Sequence, residues 1–253
     1  MEVVFFGSSP YCLPVLDSLK ENFALKLVIT RSDKPVGRKK ILTPSATKLW
    51  AQKNNIPIST LKTLDFKNFD LAIVADFGQI IPEEIFNRPR LGTWNIHFSK
   101  LPDLRGASPV QACLLRGDTT AWITIFKLEK TLDTGPILWL FQEAAKELPK
   151  INFSGPLTVQ EGAPTFCKKL SRDNGFIDWT VLERCRQGGT LTKEVYNKFR
   201  AFSPWPGIWS IDPSGKRMKI LKCHLEKDKL ILDQIQFAGE KPKPTKPSQL
   251  RWD

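Results

Sequence analysis

Apolar positions over the first 140 residues alternate between short unbroken runs and longer, spaced patterns. Val3–Phe6 is an unbroken run that ends at Gly7, which predicts a strand buried on both faces. Pro10 then opens a stretch with Leu13, Leu16, Leu19 and Phe23 at helical spacing. Leu25–Thr30 predicts the next strand, and a long polar stretch follows to Leu42. Thr43 before Pro44 carries the N-cap and first-turn signature of a helix that ends near Asn54-Asn55. Leu71–Ala75 is apolar throughout and predicts the centre of the sheet. Thr93–Phe98 predicts another strand, followed after a loop by a helix from about Ala107 to Leu115. Ile123–Leu128 and Ile137–Phe141 read as a late hairpin around Leu132-Asp133-Thr134-Gly135. Such strand–helix alternation places this part in the α/β class, with a mostly parallel, doubly wound sheet.

From Ala144 to Gly175 the periodicity fades, with Pro149, Gly155, Pro156, Gly162 and Pro164 interrupting it, which reads as a linker. A helix near Leu191–Phe202 is followed by β-like runs at Trp205–Ile211, Met218–Cys223 and Leu230–Phe237. Short strands of this kind predict a small barrel or sheet, with Trp205 and Trp209 expected in its core. Lys241–Pro247 alternates lysine and proline, as an extended, solvated arm does. The expected organisation is one domain over 1–166, a linker over 167–188 and a β domain over 189–253.

Charge adds a direction. The 38 Lys and Arg outnumber the 26 Asp and Glu, giving a formal net charge of +12. The stretch 168–253, about a third of the chain, holds 18 of those cations and 10 of the acids. A basic C-terminal part favours a polyanionic partner, nucleic acid ahead of a membrane surface. Charge alone is equally compatible with a surface kept soluble. Five scattered cysteines, without a C-x-x-C pair and with only two histidines, argue against a metal site or a disulfide framework. No apolar stretch approaches the ~20 residues of a membrane span, and a cytoplasmic, monomeric protein is expected. The turn after the first strand, Gly7-Ser8-Ser9-Pro10, lacks the G-x-G-x-x-G of a dinucleotide site, and no P-loop is present.

The chemistry concentrates in Thr93–Gly106. On a strand, Asn95 and His97 project from one face. An amide donor beside an imidazole suits a carbonyl oxygen that becomes an oxyanion. A carboxylate beside an imidazole fixes its orientation and can accept a proton, and Asp133, in a glycine turn after a sheet strand, is the candidate. Taken singly, the histidine reads as a core residue and the aspartate as a turn residue.

Asn95-x-His97-x-Ser99, Leu101-Pro102-x-x-Arg105-Gly106 and Leu132-Asp133-Thr134-Gly135, in this order and spacing, closely resemble the folate-dependent formyltransferase family. The resemblance implies a Rossmann-like catalytic domain followed by a small OB-like β-barrel. It further implies 10-formyltetrahydrofolate as formyl donor and Asn95, His97 and Asp133 as the catalytic set. Ala75–Pro82 resembles the family segment that lines the folate pocket. The expected folate-binding residues are therefore Phe77, Gly78, Gln79 and Ile80, with Ser99, Leu101, Pro102, Arg105 and Gly106 from the following loop.

Two further likenesses bear on the acceptor. Arg31–Lys40 resembles the basic insertion loop of the family branch that formylates methionyl-initiator tRNA. Its cations can reach phosphates, although charge alone leaves a solvated loop open. Lys198–Gly207 resembles the entry to that branch's C-terminal domain. These likenesses imply a tRNA partner, with Arg31, Lys34, Arg38, Lys39, Lys40 and Arg200 as contacts. An N-formyltransferase acting on a nucleotide-sugar is the rival within the family. A non-catalytic RNA-binding protein has no reason to keep Asn95, His97 and Asp133 in register.

Overall fold

A computed structural model of the chain describes residues 1–37, 39–64, 69–142 and 144–245. Two compact units form, Met1–Pro109 with Thr120–Phe166 and Val110–Thr119 with Cys167 onward.

The first unit begins with β1 (Glu2–Gly7), buried from Val3, and α1 (Leu13–Asn22) behind a short 3-10 turn at Pro10–Cys12. β2 (Ala24–Ile29) leads to an exposed antiparallel hairpin, β3 (Lys34–Val36) and β4 (Ile41–Thr43). α2 (Ala46–Lys53) starts later than Thr43-Pro44 predicts, because Ser45 is its cap and the serine side chain accepts a hydrogen bond from the Lys48 N–H. β5 (Ile58–Ser59), β6 (Leu71–Ala75), α3 (Glu83–Phe86) and β7 (Thr93–His97) follow. Next come the two-residue β8 (Arg105–Gly106) and α4 (Pro109–Arg116), which from Val110 on belongs to the second unit. The sheet is completed by β9 (Ile123–Lys127) and β10 (Ile137–Phe141).

The seven-stranded sheet runs β10-β9-β7-β6-β1-β2-β5, placing the wholly buried β6 at its centre. β5, β2, β1, β6 and β7 are parallel, and β9 and β10 add the antiparallel hairpin that the sequence predicts. The chain winds from β1 outward to β5, then crosses back to β6, so the strand order reverses between β1 and β6. In such sheets the crevice at the carboxyl ends beside that reversal is where ligands bind.

The stretch expected as a linker from Ala144 is instead part of this unit. It contains α5 (Ala144–Glu147) and a 3-10 turn, and Leu148, Ile151 and Phe153 are buried in the same core as β1 and β6. Thr158 then exchanges both backbone hydrogen bonds with Ile137, at 2.7 Å each. Proline and glycine break the periodicity there without releasing the chain from the sheet.

The second unit follows β11 (Phe166–Cys167). Residues 167–188, also expected as a linker, hold α6 (Trp179–Gln187), capped by Asp178 at one end and by Gly188 at φ +99° at the other. Leu182 and Cys185 of α6 pack with α7 (Thr192–Phe202) against a sheet of β12 (Ile208–Ile211), β13 (Arg217–Glu226), β14 (Lys229–Phe237) and β15 (Lys243–Pro244). The described residues form the antiparallel sheet that the sequence predicts, in the order β12-β13-β14-β15, with Phe176 bridging to Trp209 on β12. Trp205 is exposed, and Trp209 lies off the core with the Arg217 guanidinium 4.2 Å above its ring. Of the lysine–proline arm, Lys243 and Pro244 pair with β14, while Lys246 and Pro247 lie outside the described residues.

Candidate active site

The carboxyl end of β7 carries the predicted constellation. Asn95 and His97 stand two residues apart on that strand, flanked by β6 and β9. His97 is 5% exposed and Asp133 4%, so water screens the interaction between them little. The Nδ1 of His97 lies 3.8 Å from Oδ2 of Asp133, an ion-pair distance too long for a direct hydrogen bond. The ring's orientation is set on its other side, where Nε2 donates to the Leu104 carbonyl at 3.0 Å, since a carbonyl can only accept. The Phe126 ring meets the imidazole edge-on.

Both residues depend on unusual backbone. Asp133 adopts φ +54° and Leu104 φ +57°, conformations that side chains other than Gly, Asn and Asp seldom take. Gly135 completes the Asp133 turn because a Cβ there would run into the Lys127 carbonyl oxygen. The Gly106 N–H donates to Asp133 Oδ2 at 2.8 Å, joining the two loops.

The remaining loop residues have structural partners. Ser99 donates to the Asp103 carbonyl. Leu101 is buried, and its N–H donates to Thr124, whose hydroxyl donates to the Ser99 carbonyl. Pro102 is half-buried. The Arg105 guanidinium donates twice to Gln160. Leu104 and Arg105 are also held by Thr165: its hydroxyl accepts from the Leu104 N–H at 2.8 Å and its carbonyl from the Arg105 N–H at 2.9 Å. Asp103 accepts from the same hydroxyl. Gln160 and Thr165 are functional neighbours that sequence reasoning missed, because they sit in a stretch without periodicity, far along the chain.

At the strand reversal, the turns after β1 and β6 are bonded to each other. Ser8 N–H donates to the Asp76 carbonyl at 3.2 Å and the Cys12 thiol to the Ala75 carbonyl at 2.8 Å. Burial pushes the Cys12 thiol up, so it serves there as a neutral donor rather than a nucleophile. Phe77, in the segment expected to line a folate pocket largely through backbone groups, has its side chain buried, packed edge-to-face on Phe6 at 5.6 Å. Gly78 takes φ +71° with open space where a Cβ would lie; Gln79 is exposed and Ile80 is 93% exposed.

The basic hairpin leaves the same carboxyl edge, three strand positions from β7, or about 14 Å at ~4.8 Å per strand. Lys34, Lys39 and Lys40 are exposed, and Gly37 and Lys40 close the turn at φ +72° and +48°. Arg31 donates to the neighbouring Ser32 carbonyl. Arg38 lies outside the described residues. Arg200 belongs to the second unit, exposed on α7. Among the described residues there is no cluster of three His, Cys, Asp or Glu able to hold a metal ion, and no helix long and apolar enough to cross a membrane.

The chain is similar to known proteins in sequence and in fold. Residues 1–149 match the formyl transferase family and residues 169–240 its C-terminal domain. A methionyl-tRNA formyltransferase of Caldicellulosiruptor saccharolyticus is 33% identical, over 90% of this chain and 81% of its own. One of Nitratiruptor is 35% identical, over 83% and 76%. In fold, the chain resembles a methionyl-tRNA formyltransferase of Clostridium thermocellum with a TM-score of 0.61 at 18% identity, covering 94% of this chain and 99% of that one. It also resembles a 4-N formyltransferase of Francisella tularensis at 0.62 and 15%, covering 89% and 98%. With both halves of the chain matched and a third of its aligned residues shared with relatives it covers for most of their length, the protein belongs to the formyl transferase family.

Proposed function

We propose that the protein transfers the formyl group of 10-formyltetrahydrofolate to the α-amino group of methionyl-initiator tRNA. The buried His97–Asp133 pair at 3.8 Å, set on the strand end next to the reversal crevice, is the observation that carries the chemistry. The amine attacks the formyl carbon, the carbonyl oxygen gains negative charge, and the bond to the folate nitrogen breaks as the amine proton passes to that nitrogen. Asn95 and His97 supply donors to the oxyanion, and one such donor is typically worth about 10²–10³-fold in rate. Reaching that oxygen requires His97 to direct a donor away from the Leu104 carbonyl, while Asp133 beside Nδ1 keeps the ring oriented. Holding amine and formyl carbon together supplies much of the remaining acceleration.

The acceptor is supported by relatives that span both domains and by the basic hairpin on the edge of the same sheet. Incubation with labelled 10-formyltetrahydrofolate and a panel of charged initiator tRNA and amino-sugar nucleotides tests the assignment. Label should enter methionyl-tRNA with turnover. Label in an amino-sugar nucleotide but not in tRNA would transfer the protein to the sugar-modifying branch.

A further inference from the structure

Gln160 sits between the turn that carries Asp133 and the loop after β7 that carries Arg105. Its Nε2 donates to the Asp133 carbonyl at 3.0 Å and the Gly135 carbonyl at 2.8 Å. Its Oε1 accepts from Arg105 Nε at 3.2 Å and Nη2 at 2.6 Å. The amide orientation is forced by chemistry: reversed, it would set N–H against guanidinium N–H and oxygen against two carbonyl oxygens. Both of its protons and both acceptor positions are in use, so the side chain is fixed in place. The backbone carrying it is equally anchored, by the Thr158–Ile137 pair on one side and by Thr165 on the other.

The Asp133 turn needs such support. Asp133 holds a left-handed backbone, which an aspartate reaches more readily than most residues but still at a cost that its surroundings must offset. The carbonyls on either side of Thr134 would otherwise face the half-buried site with their hydrogen-bonding capacity unmet.

We propose that Gln160 is a positioning residue: its amide clamps the Asp133 turn to the Arg105 loop and so sets the approach of Asp133 to His97. The inference rests on the formyl-transfer reading for its kinetics, but not for its geometry. Gln160→Glu is the sharpest variant. It is nearly isosteric and keeps oxygen for Arg105, yet has no N–H for either carbonyl. Gln160→Ala removes both sides of the clamp.

A shift of about 1 Å in a reacting group can cost on the order of 10²-fold. Both variants should therefore lose about 10–100-fold in kcat per folded molecule, with the KM for each substrate within about threefold of wild type. A second readout needs no substrate. The chain has two histidines, His97 and His224, so nitrogen NMR of the imidazoles, assigned with His224→Gln, reports each separately. The His97 signals should move in Gln160→Glu while those of His224 stay. A kcat within about twofold of wild type, a loss carried by KM, or unmoved His97 signals would each overturn the proposal and leave Gln160 a stabilising contact only. If wild type transfers no formyl group, the functional reading fails, and the His97 signals still decide whether Gln160 holds the site.

Discussion

At the scale of single residues, the site is a contest between chemistry and backbone cost. Asp133 must bring a carboxylate within 3.8 Å of His97, and the chain reaches that point only through φ +54°. Gly135 makes the turn possible, with the Lys127 carbonyl occupying the space a side chain would need. Gly135→Ala should therefore lower stability by about 1–3 kcal/mol, as overpacking does. It should also lower kcat, both read from urea unfolding and turnover of the same preparation. Wild-type stability and rate in the Gly135→Ala variant would show that the turn relaxes freely. The Asn-x-His alternation and the Asp-Thr-Gly turn are visible in the sequence because strand alternation and turn chemistry are local. Gln160 is not, since its role arises from contacts to Arg105 and Asp133 across 55 and 27 residues. Nor does sequence show that Phe77 turns inward to Phe6. An aromatic after a strand can face core or cleft, and only packing decides.

At the scale of elements, strands buried on both faces are the most legible. β1 and β6 announce themselves as unbroken apolar runs because helices or loops cover both sides of the sheet. α6 is the reverse case. Only Leu182 and Cys185 of its nine residues are buried, so its apolar stripe is too narrow to stand out from the polar sequence around it. Its ends are legible all the same: Asp178 is a good cap, and Gly188 supplies the left-handed stop. Leu182 sits at 1% exposure within the second core, and Leu182→Ala should cost about 2–5 kcal/mol of stability. Residues 167–188 would be the linker first expected if that substitution left thermal unfolding unchanged.

At the scale of the molecule, the excess of 12 positive charges acquires a location. Part of it lies on the hairpin at the carboxyl edge of the large sheet, where Lys34, Lys39 and Lys40 are exposed. Each phosphate contact releases counterions, so tRNA affinity should fall steeply with salt. Lys39→Ala should reduce the slope of log K against log salt concentration by about 0.7. An unchanged slope would remove Lys39 from the tRNA contact. The alternation of strands and helices makes the parallel sheet and its reversal readable from sequence, whereas the pairing order within the second sheet is not. Strand runs report pairing partners only weakly, because the pairing depends on tertiary contacts.

The catalytic account stands or falls on His97 and Asp133 acting as one unit. Single-turnover transfer of labelled formyl from 10-formyltetrahydrofolate to methionyl-initiator tRNA measures this directly, comparing wild type with His97→Ala, Asp133→Asn and the double variant, each confirmed folded by circular dichroism. Each single variant should be slower by at least about 10²-fold. The double variant should be little slower than either, because groups that act together are not additive. A single variant that transfers at the wild-type rate, or a double variant whose loss is the product of the two, would contradict the account.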